Sequence, residues 1–275
     1  MQKIRMLFLW IYLPFEHMKK LQLNIKKFFS GLWKIYLLLV TAVFLIILYP
    51  FYYFWLTDER HFKKGFHLTR MHAKLILFFG GIRVKILKKY PLPSPPYVII
   101  ANHSSYLDIL LLYALIDKPF VFMGKHELTR IPLFNIFFKK FNIPVDRQNS
   151  TQASLAFLRA EKMLDAGYSV VIFPEGGIPK HAPVVKRFKP GAFRLAIKKK
   201  VPIVPIVYID NWKLLGDKQV FSLKARPGVA GVYFLPVIKP ENLSEESIQN
   251  TANVLIDQMN LLIKQYNSKK MKKVE

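Results

Sequence analysis

The 275-residue sequence contains no cysteine. This absence excludes a disulfide scaffold, a thiolate nucleophile and a zinc or iron–sulfur site with cysteine ligands. Acidic residues are also scarce: 17 Asp and Glu stand against 42 Lys and Arg, which gives a formal net charge of +25. A chain of this charge attracts polyanions such as nucleic acid, an anionic membrane or phosphorylated substrates. Intrinsic disorder is excluded because 52% of the residues are hydrophobic.

Several catalytic motifs are missing as well. The chain has no G-x-S-x-G elbow, no Walker loop, no G-x-G-x-x-G fingerprint and no H-E-x-x-H pair. Nucleotide hydrolysis and zinc-dependent hydrolysis therefore lose most of their support. The dipeptide His126-Glu127 lacks the second histidine that a metal would need, so we expect no metal site there.

Charge is absent from one long stretch near the N-terminus. Residues 35–56 carry no charged side chain over 22 positions, and a helix of that length extends roughly 33 Å, enough to cross the hydrocarbon core of a bilayer. A deeply buried core helix is the alternative. Basic residues flank the stretch on both sides, so the positive-inside rule does not orient a single crossing. A hairpin that returns from one leaflet would keep both flanks cytoplasmic.

Two shorter apolar segments precede this stretch. Residues 6–15 are too few to cross a bilayer, and residues 21–33 mix Lys26 and Lys27 with apolar side chains, as an interfacial helix does. The long apolar run lies too deep in the chain for a cleaved signal peptide. We expect residues 1–80 to form a membrane-anchoring helical segment in contact with anionic lipid. This anchor would hold the protein at the cell membrane with the domain that follows it on the cytoplasmic face.

The pattern changes after residue 80, where short apolar runs alternate with helical segments. Helices are predicted at 57–80, 105–115, 152–166, 191–199 and 245–266, and strands at 83–87, 97–101, 119–123, 143–145, 169–173, 203–208, 220–224 and 231–237. This alternation predicts an α/β domain with a mixed, largely parallel sheet flanked by helices. We expect this domain to span residues 81–240, followed by a C-terminal helix and basic tail over 241–275.

A polar segment follows the second predicted strand and includes His103, Ser105 and Asp108. A histidine beside a carboxylate makes a general base, because the carboxylate fixes the tautomer and stabilises the imidazolium that forms. Five residues of regular helix turn through about 500°, so His103 must precede the helix while Asp108 points back from the first turn. Ser105-x-x-Asp108 is also a capping box, and the two roles are compatible.

A second candidate cluster follows the strand predicted at 169–173. Glu175, Gly176 and Gly177 come directly after it, and glycines let backbone amides approach an anion closely. The basic run at 186–191, which includes Lys189, opens a predicted helix, and helix N-termini attract phosphate. A plain turn and a solvated charged face are the alternatives.

Arg147 is a further phosphate candidate, because it follows the strand predicted at 143–145. Loops at the carboxyl ends of strands are where α/β proteins place their sites. A surface salt bridge between Arg147 and Asp146 is the alternative.

These pieces, in this order, resemble the glycerolipid acyltransferase family, the 1-acylglycerol-3-phosphate O-acyltransferases. The resemblance covers roughly residues 80–240 in four ordered blocks, which makes it specific. The blocks are Asn102-His103 through Asp108; Lys125, Glu127, Leu128 and Pro132-Leu133-Phe134 leading to Val145-Asp146-Arg147; Phe173-Pro174-Glu175-Gly176, with Phe188-Lys189-Pro190-Gly191-Ala192 after it; and Val201-Pro202-Ile203-Val204-Pro205-Ile206.

The resemblance implies the glycerolipid acyltransferase fold and a specific reaction. An acyl group would pass from an acyl thioester to the sn-2 hydroxyl of 1-acylglycerol 3-phosphate, giving phosphatidic acid for phospholipid biosynthesis. His103 would be the general base oriented by Asp108, with no metal or cofactor needed. Expected partners are lysophosphatidic acid, acyl-coenzyme A or acyl carrier protein as donor, and an anionic bilayer, with no nucleic acid. The expected substrate-binding residues are Asn102, Lys125, Arg147, Glu175, Gly176, Gly177, Lys180 and Lys189.

The third block departs from the family pattern. Thr and then Arg or Asn usually follow Glu-Gly in the family, whereas Gly177 and Ile178 stand here. A side chain that often helps bind phosphate is therefore missing, and Lys180, Lys186 or Arg187 is a candidate replacement. This departure motivates an alternative acceptor, another lyso-lipid such as an acylated amino-acid lipid.

The net charge motivates an alternative of another class, a membrane-tethered basic binding protein without catalysis. The basic residues are spread along the chain and no nucleic-acid recognition motif is present, which disfavours it.

Overall fold

The structure is a computed structural model that describes residues 2–216 and 225–271, with side chains for 17–216 and 225–268. The strand predicted at 220–224 lies outside the described residues. The helices are α1 (Gln2–Thr57), α2 (Phe62–Phe79), α3 (Leu107–Leu115), α4 (Ile136–Lys139), α5 (Ser150–Asp165), α6 (Gly191–Lys199), α7 (Asn211–Leu215) and α8 (Ile248–Met271). The strands are β1 (Ile82–Lys88), β2 (Val98–Ala101), β3 (Phe120–Lys125), β4 (Ile143–Val145), β5 (Ser169–Ile172), β6 (Ile203–Tyr208) and β7 (Gly228–Phe234).

The seven described strands form one sheet with the order β1-β7-β6-β2-β5-β3-β4. Neighbouring strands are parallel except β6 and β7, which are antiparallel. The prediction of a mixed, largely parallel sheet flanked by helices is confirmed. Every residue of β2 and β6 is buried, because both faces of these central strands are covered. Their sequences therefore read as continuous apolar runs rather than as an alternation.

Several element boundaries differ from the prediction. Helix α3 begins at Leu107, two residues later than expected, and in the segment before it the Ser105 hydroxyl accepts the backbone N–H of Leu107 at 3.0 Å. The helix predicted at 57–80 is divided into a 3-10 turn, Glu59–His61, and α2. The short helices α4 and α7 were not predicted.

The N-terminal region forms one continuous helix, where three separate segments had been expected. Helix α1 extends over 56 residues, and its portion His17–Thr57 is long and apolar enough to cross a membrane by length and composition. Only 11% of the most apolar window of this portion is buried, which disfavours a core helix. Large apolar side chains point outward along it, such as Leu38 at 68% and Phe54 at 67% exposure. These features indicate membrane association.

Helix α2 returns along α1 and connects it to the sheet. The indole N–H of Trp33 donates to the carbonyl of Gly80 at 3.2 Å, and the Tyr52 hydroxyl lies 3.0 Å from His72 Nδ1, so the two helices run antiparallel. On its other face, the ring of Phe66 meets Phe120 of β3 at a centroid distance of 4.9 Å. Helix α2 thus lies between α1 and the sheet, and its buried side chains are part of the same hydrophobic core as the strands.

Candidate active site

The candidate site lies at one edge of the sheet, where the carboxyl ends of five parallel strands meet. His103 comes two residues after β2, Glu175 three residues after β5 and Arg147 two residues after β4. Strands β5 and β6 are the two neighbours of β2. Segments that are distant in the sequence therefore converge around His103, at the edge where α/β proteins place their ligands.

His103 and Asp108 form a hydrogen-bonded pair. The distance from His103 Nδ1 to Asp108 Oδ2 is 3.0 Å, and the Asp108 side chain is fully buried. The same oxygen accepts the backbone N–H groups of Ser104 at 2.7 Å and Ser105 at 3.0 Å. The bond from Ser105 is the one expected of a capping box. Asp108 therefore binds both the backbone before α3 and the histidine ring. These N–H groups provide the hydrogen bonds that a buried carboxylate needs.

Asn211 completes the surroundings of Asp108 and was missed by the sequence reasoning. It is the first residue of α7, is fully buried, and donates from Nδ2 to Asp108 Oδ1 at 2.6 Å. The polar pair Asp210-Asn211 follows the buried run of β6. The rule that sites follow the carboxyl ends of strands could have identified it.

The loop after β5 holds His103 from the other side. The His103 ring stacks on Phe173 with centroids 4.1 Å apart and an interplanar angle of 14°. Its backbone N–H donates to Glu175 Oε1 at 2.8 Å. The pKa of Glu175 is raised to about 7, chiefly because burial disfavours the charged carboxylate. The hydrogen bond from the His103 N–H opposes this shift, and the nearby Asp108 charge adds to it. The first and third sequence blocks are therefore joined by direct contacts.

Asn102 takes a position different from the one expected. Its Nδ2 donates to the carbonyl of Tyr208 at 2.9 Å, and its Oδ1 accepts the Tyr208 N–H at 2.8 Å. The residue is only 1% exposed. This pair of bonds connects the end of β2 to the end of β6.

Arg147 and Lys189 meet at Gly176. A β-carbon built on Gly176 would lie 3.2 Å from Arg147 Nη1 and 3.4 Å from Lys189 Nζ, so both cationic groups lie against this glycine. Gly176 has a φ of +85°, a left-handed conformation that favours glycine. Within the described part of the chain, Arg147 forms no ion pair with Asp146. Two positive charges beside exposed backbone suit an anionic group such as phosphate.

Other predicted substrate-binding residues do not join this cluster through any observed contact. Lys125 is 66% exposed and pairs with Glu127 at 2.7 Å. Gly177 and Lys180 are exposed, and a β-carbon on Gly177 would meet nothing within 4 Å. Among the described residues, no group of three or more His, Cys, Asp or Glu side chains could hold a metal ion.

Comparison with known proteins identifies the family to which this part of the chain is similar. The sequence pattern of the family described as Acyltransferase matches residues 82–209. A 1-acyl-sn-glycerol-3-phosphate acyltransferase of Borreliella burgdorferi is 28% identical over 200 residues, covering 72% of this chain and 78% of the relative. The 1-acyl-sn-glycerol-3-phosphate acyltransferase alpha of Mus musculus is 30% identical over 203 residues, covering 69% of this chain and 66% of the relative.

A solved structure shares the fold. The crystal structure of PlsC, the 1-acyl-sn-glycerophosphate acyltransferase of Thermotoga maritima, has a TM-score of 0.66 to this chain at 20% identity, covering 86% of this chain and 98% of that one. The expectation drawn from the four sequence blocks is confirmed: the chain belongs to the glycerolipid acyltransferase family and is an enzyme of that class.

Proposed function

We propose that the protein transfers a fatty acyl group from an acyl thioester to the sn-2 hydroxyl of 1-acylglycerol 3-phosphate, giving phosphatidic acid. The observation that carries this proposal is the 3.0 Å contact between His103 and the buried Asp108 at the sheet edge. The names of the relatives support the choice of substrate. The alternative of a basic binding protein without catalysis is set aside by membership of an enzyme family.

In the proposed reaction, His103 acts as the general base. Its Nδ1 is hydrogen-bonded to Asp108, which leaves Nε2 as the ring nitrogen available to a substrate. Nε2 takes the proton of the acceptor hydroxyl as the oxygen forms a bond to the thioester carbonyl carbon. The carbon–sulfur bond then breaks, and the thiolate leaves with the proton returned by the imidazolium. Asp108 stabilises the imidazolium during this cycle, and Phe173 keeps the ring in its plane.

The phosphate of the acceptor would bind between Arg147 and Lys189, beside Gly176. Arginine and lysine both form charge-assisted hydrogen bonds to phosphate oxygens. Lys189 comes from the segment after the third block, which itself matches the family pattern, so its charge does not depend on the position held by Ile178. Glu175 supports this arrangement by holding the backbone of His103. Contacts of Lys125, Gly177 and Lys180 with substrate stay predictions.

The membrane arrangement follows from the helical hairpin. Helix α2 runs back along α1 and brings Gly80, at the start of the catalytic domain, beside Trp33 at the N-terminal end of the apolar stretch. An anchor in residues 1–80 would keep the catalytic domain, residues 81–240, on the cytoplasmic face, with residues 241–275 as a C-terminal extension. The donor, acyl-coenzyme A or acyl carrier protein, would approach from that side.

The decisive experiment is acyl transfer by membranes that contain the full-length protein. Labelled lysophosphatidic acid is incubated with acyl-coenzyme A or acyl carrier protein thioester, and labelled phosphatidic acid is quantified. We expect product with the wild type and none above background with His103→Ala. The matched control is His67→Ala, because His67 is exposed on α2. Transfer by His103→Ala at the wild-type rate would contradict the assigned base.

An acceptor panel tests the substrate class. Lysophosphatidic acid is compared with a monoacylglycerol and an acylated amino-acid lipid at equal mole fraction in the membrane. Because Arg147 and Lys189 lie together, we expect the phosphate-bearing acceptor to be preferred. A strong preference for an acceptor without phosphate would favour the alternative suggested by Gly177-Ile178.

A further inference from the structure

A groove lies between α1 and the catalytic domain, near the start of β7. Its volume is about 680 Å³, within the usual range for a ligand site of roughly 300–1,000 Å³. Helix α1 forms one wall, and α7 together with the segment before β7 forms the other. The lining residues that matter here are Lys26, Phe29, Ser30, Trp212, Lys213 and Arg226.

The chemistry of the groove combines apolar surface with positive charge. Phe29 on α1 is 63% exposed and presents its ring at the groove. Lys26 enters from α1, while Lys213 and Arg226 enter from the domain, and none of the described lining residues is acidic. An amphiphile with an anionic head and apolar chains satisfies both features.

Ser30 gives an independent sign of a ligand. The residue is only 7% exposed, and its hydroxyl has no hydrogen-bond partner within the described chain. Buried polar groups in native proteins almost always have a partner, because an unpaired hydroxyl costs free energy. A polar group of a bound molecule in the groove would supply the missing partner.

The groove is separate from the proposed acceptor site. Strand β6, which leads into α7, lies on one side of β2, whereas β5 and β4, which lead to Gly176 and Arg147, lie on the other. His103 follows β2 and therefore stands between the two regions. The groove and the Arg147–Lys189 pair are thus positively charged sites on opposite sides of the catalytic histidine.

Helix α7 connects the groove to the catalytic pair. Trp212 and Lys213 line the groove, and the preceding residue, Asn211, donates to Asp108 at 2.6 Å. At the end of the same helix, the carbonyl of Leu215 accepts the Ser105 hydroxyl. A molecule seated in the groove therefore packs against the helix that holds the Asp108 carboxylate.

We propose that this groove binds one anionic phospholipid of the membrane leaflet, and that its occupancy raises turnover by holding α7, Asn211 and Asp108 in place. The inference rests on the proposed acyl transfer, whose rate it modulates. A lipid is favoured over a free phosphate ion because one wall belongs to α1, the helix with exposed apolar side chains. Lys26, Lys213 and Arg226 match the charge of the headgroup.

The test uses the purified full-length protein in neutral detergent micelles, with a fixed low mole fraction of lysophosphatidic acid and a saturating donor. Phosphatidylglycerol is added in increasing mole fraction, and separate arms receive phosphatidylcholine or inorganic phosphate. We expect phosphatidylglycerol to raise kcat at least about fivefold, the lower range of typical coupling between sites. The KM for lysophosphatidic acid changes little, and the other two arms have no effect.

Variants connect this response to the groove. Lys26→Gln combined with Arg226→Gln is expected to keep the basal rate and lose the response to phosphatidylglycerol. The control combines Lys20→Gln with Arg83→Gln, which removes the same charge from exposed positions outside the groove and keeps the response. Ser30→Met fills the groove without changing charge, and we expect it to lose the response as well.

Binding is read out separately by native mass spectrometry. One phosphatidylglycerol should remain on the wild type and on the control, and none on the Lys26→Gln, Arg226→Gln protein. The proposal is overturned if phosphatidylglycerol leaves wild-type kcat unchanged, if the groove variants respond like the wild type, or if inorganic phosphate alone activates. Absence of acyl transfer in every arm with this binding pattern intact would contradict the proposed function and leave the lipid site supported.

Discussion

Replacement of Asp108 by asparagine isolates the charge at the candidate site. Asp108 Oδ2 accepts N–H groups from His103, Ser104 and Ser105 at 2.7 to 3.0 Å. In Asp108→Asn, the side-chain oxygen takes that place and the new amide nitrogen faces Asn211. Asn211 Oδ1 has no hydrogen-bond partner in the described part of the chain, so its amide can turn over and accept the new bond. The substitution then removes the negative charge and little else.

We expect kcat of Asp108→Asn to fall about a thousandfold. The proposed step converts neutral His103 into an imidazolium, and its attraction to the carboxylate exists only once the proton has moved. Two unit charges about 4 Å apart attract by about 4 kcal/mol at an effective dielectric constant of about 20, which corresponds to about a thousandfold in rate. The KM for lysophosphatidic acid should stay near the wild-type value, because the Asp108 side chain is fully buried.

The assay is the initial rate of phosphatidic acid formation over a range of lysophosphatidic acid concentrations in micelles. Circular dichroism and thermal unfolding establish that the variant is folded. Asp117→Asn serves as the matched control, because Asp117 is exposed in the loop before β3. If folded Asp108→Asn retains more than about a tenth of wild-type kcat, stabilisation of the imidazolium by Asp108 is refuted.

Two further predictions concern the neighbouring loop. Arg147→Gln or Lys189→Gln should each raise the KM for lysophosphatidic acid about tenfold, as expected for one lost charge-assisted hydrogen bond. The KM for a phosphate-free acceptor should not change, and equal effects on both acceptors would contradict a phosphate site. Glu175→Gln tests the pKa of about 7, raised by burial from 4.5. The wild type loses stability as pH rises from 4.5 through 7, because the buried carboxyl group must ionise, whereas glutamine cannot ionise. The Tm of the variant minus that of the wild type should therefore increase between pH 4.5 and 8. The corresponding change in the free energy of unfolding is at most about 3 kcal/mol. A Tm difference independent of pH would contradict it.

The contact between His103 and Asp108 and the central strands of the sheet could be predicted because both depend on local sequence. The buried runs of β2 and β6 identify central strands, and the turn angle between positions 103 and 108 requires the histidine to lie before the helix. The structure has this arrangement, with His103 on the loop and Asp108 in the first turn of α3. The start of α3 was missed by two residues: the contact between Ser105 and Asp108 was anticipated, but the helix begins only at Leu107, after Tyr106.

The remaining site contacts depend on the order of the strands. Asn211 reaches Asp108 across 103 positions of sequence, which requires β6 to lie beside β2. The meeting of Arg147 and Lys189 at Gly176 likewise depends on how β4 and β5 are placed. The continuity of α1 was missed for another reason. Lys19 and Lys20 separate two apolar segments of the sequence, which suggested separate helices, but lysine favours the helical conformation and does not end a helix.

The position of α2 has a consequence for how the enzyme works at a surface. Phe66 and Phe62 of α2 pack on Phe120 and Phe141 of the domain, while the opposite face of α2 packs on α1. The candidate active site is therefore joined to α1 by packed helices rather than by a flexible linker. With α1 inserted in a leaflet, a tilt of this helix would change the height of His103 above the lipid headgroups. We therefore expect the rate of acyl transfer to respond to bilayer thickness and curvature, although neither alters a contact of the His103 ring.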